Sequence, residues 1–112
     1  MFRIKFKAVT PLAASLAAVL IMLSPSVSAL DGAELYKSKT CYTCHGKDGK
    51  SPILPSYPKI AGQNEAYSLQ QMKDIKSGER ANGMSAGMKG IMHLVTEEEI
   101  AALAKYIATM AP

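Results

Sequence analysis

The chain holds only two cysteines and two histidines in 112 residues, and it shows no internal repeat and no strand-like alternation of apolar and polar residues. Each shortage excludes something. Both cysteines fall in one pentapeptide, Cys41-Tyr42-Thr43-Cys44-His45, so no disulfide is left to staple distant parts of the fold. A structural zinc site wants about four ligands, and only His45 and His93 could join the two thiols. A thiol–disulfide redox pair normally sits in a βαβ context, which the missing alternation denies it. The apolar run from Leu12 to Leu23 is well short of the ~20 residues that span a bilayer.

What is present is the pentapeptide itself, a Cys-x-x-Cys-His run that reads as a covalent attachment site for c-type haem. Its spacing has a chemical reason. Two thiols three residues apart lie on one side of a helical turn, where each can add across one vinyl group of the macrocycle. The histidine directly after the second thiol is then held under the iron as the proximal ligand. Redox thiols and half of a metal site are the competing readings of the same residues.

The first 29 residues have the organisation of a secretory leader. A basic start (Arg3, Lys5, Lys7) precedes a short apolar run, and the small-residue end Val27-Ser28-Ala29 is a cleavage signal. Residues 1–29 are therefore expected to be an export signal, cut after Ala29. The alternative is retention as a membrane anchor. Export implies a periplasmic protein with no membrane span after processing.

Processing also changes the charge. Of 13 lysines and arginines three leave with the leader, and the remaining ten against nine acids give +1. A basic surface for nucleic acid is thereby excluded. Leu30 to Pro112 is one domain of 83 residues, a size at which a core often needs a staple. With both cysteines committed to the motif, a large apolar cofactor is the expected substitute.

An all-α fold is expected, with three main helices around that cofactor. The first should run from about Gly32 to Lys39 with Asp31 as N-cap. Residues 46–62 are too rich in Gly, Pro and Ser for regular structure. Ala66, Leu69, Met72 and Ile75, at three-residue steps, predict a helix from Asn64 to Ser77, ended by Gly78. Residues 79–94 read as irregular. Thr96-Glu97-Glu98-Glu99 is a capping box that opens a last helix through Ile100, Leu103, Ala104, Tyr106 and Ile107 to about Met110.

These residues together resemble a class I c-type cytochrome, most nearly the small exported bacterial monohaem forms and one half of the tandem dihaem type. The resemblance covers essentially the whole chain after the leader. Gly32-x-x-x-Tyr36 resembles the family's first helix, with Leu103 and Tyr106 as partners on the last. Tyr57-Pro58-Lys59-Ile60-Ala61-Gly62-Gln63 and Lys76-Ser77-Gly78-Glu79-Arg80 resemble two further family segments.

The resemblance implies one covalent haem c, with His45 and a methionine as axial ligands of the iron. The family places that methionine eight residues before the Ser or Thr capping the last helix, which is Met88 counted back from Thr96. Met84 and Met92 are the alternatives, and His93 reads as a loop histidine. A thioether in that position raises the potential and suits electron transfer. The family also uses a proline carbonyl to orient the proximal imidazole, which points to Pro52, with Pro55 as the other candidate. Arg80 could contact a haem propionate, because a guanidinium suits a carboxylate.

The function implied is a periplasmic one-electron carrier between redox protein donors and acceptors, acting as a monomer or weak dimer. The alternative is a haem-bearing electron-transfer subunit permanently bound to a dehydrogenase or oxidase. A haem sensor or peroxidase would require Met88 to be absent or labile. No enzymatic activity is expected, because no acid–base constellation accompanies the motif.

Overall fold

The computed structural model describes residues 3–5, 7–11 and 29–112, and among these the regular structure is entirely helical. The expected export signal depends mainly on residues 12–28, which lie outside the described residues. Five helices follow in order: α1 Gly32–Ser38, α2 Cys41–His45, α3 Glu65–Ser77, α4 Ser85–Met92 and α5 Glu97–Thr109.

Capping chemistry explains most of the boundaries. Asp31 accepts from the amides of Ala33 and Glu34 and starts α1. Asn64 accepts from Tyr67 N at 3.0 Å and starts α3, which ends at Gly78 in the left-handed conformation that glycine reaches without steric cost. Thr96 and Glu99 close a reciprocal capping box at the head of α5.

The fold departs from the sequence expectation in two places. The segment 79–94 is not wholly irregular, because Ser85–Met92 is helical. Two glycines give that segment poor intrinsic propensity, and packing against α3 supplies what propensity lacks. Ala66 is exposed rather than part of the buried face of α3. A three-residue step falls ~60° short of a full turn, so nine residues carry Ala66 to the face opposite Ile75. Ser68, Met72 and Ile75 form the buried stripe instead.

The core is built where α1 and α3 pack on α5. Ile100, Leu103, Ala104 and Ile107 of α5 meet Tyr36 of α1 and Met72 and Ile75 of α3. Gly32 makes the α1–α5 crossing possible. A Cβ there would stand 2.5 Å from both Ala102 O and Tyr106 Cβ. The rings of Tyr36 and Tyr106 then meet edge to face, with centroids 5.7 Å apart.

Candidate functional site

Helix α2 is the pentapeptide itself. Its N-cap, Thr40, takes a left-handed backbone (φ 61°, ψ 22°) that a non-glycine residue seldom adopts, and this reversal sets Cys41 at the head of a fresh helical turn. The C-terminal end is held by two outside groups. Ile53 N donates to Cys44 O at 3.0 Å, and the hydroxyl of Tyr36 donates to Gly46 O at 2.7 Å. Burial pushes the Tyr36 phenol far above its ordinary range, so it serves purely as a neutral donor.

A cavity of about 630 Å³ opens beside α2, within the ~300–1,000 Å³ typical of small-molecule and cofactor sites. Cys41, Cys44 and His45 line it, and Ile60, Met72, Ile75, Ile91, Leu103 and Ile107 supply its apolar surface. The two cysteines form no disulfide. Burial pushes the Cys41 thiol up to about 11, whereas the attacking cysteine of a thiol–disulfide pair has a lowered value. Among the described residues no three His, Cys, Asp or Glu side chains come together as a metal site.

His45 is only 8% exposed, and its Nδ1 lies 2.9 Å from the carbonyl oxygen of Pro58. A carbonyl can only accept, so Nδ1 carries the proton and Nε2 keeps its lone pair for a ligand bond. The expectation for Pro52 is thereby corrected. Ser51 through Ile53 are committed to the end of α2, with Ser51 O against Gly46 and Ile53 N on Cys44 O. Pro58, six residues further on, supplies the carbonyl, and Pro55 does not.

The three candidate thioethers sit at four-residue spacing along α4, and all line the cavity. Burial separates them. Met84 is 52% exposed at the N-cap, Met88 is half-buried, and Met92 at 2% is part of the core. His93 is exposed and does not line the cavity. Arg80 does line it, with Nη1 donating to Gln71 Oε1 at 2.9 Å and no carboxylate partner among the described residues. Thr40, Pro58 and Gln71 are site residues the sequence reading did not single out. Only Pro58 had a visible signal, its place in the Tyr57–Gln63 segment.

Comparison with known proteins gives a consistent picture. Residues 29–111 match the family model described as cytochrome c. The chain is similar to cytochrome c4 of Pseudomonas aeruginosa, 42% identical over 73 residues that make up 65% of this chain and 34% of that protein. It is similar to the thiosulfate dehydrogenase electron acceptor of Stutzerimonas stutzeri, 32% identical over 97 residues, 80% of this chain and 44% of that protein. It is also similar to cytochrome c-554(548) of Halomonas halodenitrificans, 34% identical over 73 residues, 65% of this chain and 87% of that protein. The chain spans only 34% and 39% of the cytochromes c4 of Pseudomonas aeruginosa and Azotobacter vinelandii.

Proposed function

The chain belongs to the cytochrome c family, and from that premise we propose that it is an exported, periplasmic one-electron carrier whose iron is ligated by His45 and Met88. Its cofactor is haem c, which when bound supplies a one-electron iron couple. The residues present fit that group. One cavity gathers two thiols at attachment spacing, an imidazole with Nε2 left free to ligate, thioethers, and a largely apolar lining. That convergence is the single observation carrying the proposal.

The roles follow from the geometry. Cys41 and Cys44 would hold the macrocycle through thioether bonds, keeping the cofactor in place when the protein diffuses. Pro58 fixes the tautomer and orientation of His45 and makes the imidazole a stronger donor. Met88 would be the second ligand, since it lines the cavity half-buried, whereas Met84 is exposed and Met92 is taken up by the core. Arg80, which pairs with no carboxylate among the described residues, would be available to a propionate and is held by Gln71. The apolar side chains of Ile60, Met72, Ile75, Leu103 and Ile107 would pack against the macrocycle and limit the approach of water to it.

The partners are redox proteins on either side of the transfer, met transiently by a monomer or weak dimer. The name of the Stutzerimonas stutzeri relative, an electron acceptor of a dehydrogenase, supports a carrier role rather than catalysis on a small substrate. No helix among the described residues is long and apolar enough to cross a membrane. The leader read from residues 1–29 supports export, and mature protein beginning at or near Leu30 on N-terminal sequencing checks that.

A redox titration followed by optical spectra, with the intact mass of the denatured protein, tests the reading. One reversible one-electron transition and haem mass that survives denaturation are expected. Haem lost to acid acetone, or a ferrous form that binds carbon monoxide without treatment, overturns it.

A further inference from the structure

Helix α4 brings Met88 to the cavity, yet of its own residues only Ser85 and Met92 are buried. Two of its eight residues are Gly87 and Gly90, and an interior helical glycine is unfavourable relative to alanine. A Cβ built on either would meet nothing within 4 Å, so neither glycine serves a close contact. Its N-cap, Met84, makes no side-chain hydrogen bond. Among the described residues α3 is the only helix against which α4 packs.

Beyond Met92 and the packing on α3, further anchoring comes from outside, at the linker between α4 and α5. Lys39, the residue that caps the end of α1, donates from Nζ to Leu94 O at 2.7 Å. The same ammonium pairs with Glu99 Oε2 at 3.1 Å, and that oxygen accepts from Thr96 N at 2.9 Å. Lys76, in the last turn of α3, donates from Nζ to Val95 O. Two ammonium groups from two different helices thus hold consecutive carbonyls. Leu94 N and Val95 N in turn donate to Ile91 O and Met92 O, so the clamped linker is continuous with the last turn of α4. Charge-assisted bonds of this kind are about twice as strong as neutral ones, and cations favour the C-terminal end of a helix.

We propose that Lys39 and Lys76 form a latch on the α4–α5 linker and act as positioning residues that hold Met88 at the cavity. The proposal rests on the reading of Met88 as the distal ligand. Lys73 offers the contrast: it pairs with Glu97 at 3.5 Å on the surface and reaches no linker carbonyl. Releasing the latch lets α4 swing out as a local unit, and Met88 leaves with it before the rest of the molecule unfolds.

The test is the rate at which the ferric, haem-loaded protein captures cyanide. Lys39→Met and Lys76→Met should each raise it about tenfold, the ratio that corresponds to about 1.4 kcal/mol of easier opening. Lys39→Arg and Lys76→Arg should restore near-parental rates, and Lys73→Met should leave the rate unchanged. Asp31→Ala, which removes the cap of α1, should lower thermal stability without raising the rate. Parental rates in both methionine variants, or an equal rise in Asp31→Ala, overturn the latch. If Lys76→Met yields no holoprotein, Lys39→Met decides alone. Met88→Ala is run alongside. Should it leave the near-infrared sulfur–iron band intact, the ligand assignment is what fails and the latch falls with it.

Discussion

The hydroxyl of Tyr36 donates to the carbonyl of Gly46 at 2.7 Å, so the first helix grips the residue directly after His45. Tyr36 is 2% exposed and also stacks edge-on to Tyr106 of α5. One side chain therefore joins the attachment helix to the helix that supplies the largest share of the core. Tyr36→Phe keeps the ring contact and removes only the donor, which leaves the Gly46 carbonyl with the Gly49 amide at 3.2 Å as its remaining partner. A loss of ~0.5–1.5 kcal/mol is expected by chemical denaturation of the holoprotein, with the haem spectrum retained. No change in stability would show that water replaces the hydroxyl.

Gly32→Ala tests the helix crossing. The added Cβ would stand 2.5 Å from Ala102 O, which is backbone and cannot rotate away. Helix α1 must shift, at a cost of ~1–3 kcal/mol. Alanine is otherwise the better helix former, so a stabilised variant would mean that the crossing is looser than described.

The three thioethers of α4 can be separated by spectroscopy. Met88→Ala should abolish the weak near-infrared band of sulfur-to-iron ligation, lower the potential and open the iron to carbon monoxide. Met84→Ala should leave that band in place, and so should Met92→Ala, although the latter creates a core cavity and costs ~2–5 kcal/mol. Loss of the band in Met84→Ala alone would move the ligand to the exposed end of α4.

The acid limb of stability should depend on Glu99. The Thr96 amide, and then Lys39, hold its carboxyl below the ordinary glutamate range. A carboxyl depressed on folding contributes stability that is full above its unfolded value and is lost as pH falls through the lower folded value. Glu99→Gln should therefore be less stable than the parent near neutrality, and the gap should narrow as pH drops below about 4. Thermal unfolding measured across that range checks the sign. A gap that widens in acid would contradict it.

Much of this was legible because side chains announce it. Asp31, Asn64, Thr96 with Glu99, and Gly78 each mark a helix end by their own chemistry, and the pentapeptide fixes the attachment turn by spacing. Helix α4 was hidden because its stability comes from packing on α3 and not from residues that favour helix. The partner of His45 was hidden for a different reason. A backbone carbonyl is common to every residue, so the identity of the three prolines does not tell them apart, and only the place of Pro58 in the Tyr57–Gln63 segment marks it. Ala66 was misplaced by a spacing that resembles a helical stripe over one step and drifts off the face over three.

Met72, Ile75, Met92, Leu103 and Ile107 belong at once to the hydrophobic core and to the lining of the cavity. These five face the cofactor's cavity, while Tyr36, Val95, Ile100, Ala104 and Met110 form the part of the core that packs without it. A loaded molecule would close this face of its interior, while an unloaded one would leave these side chains open to proteases and to aggregation. Loading would then act as an inspection step for the newly made chain.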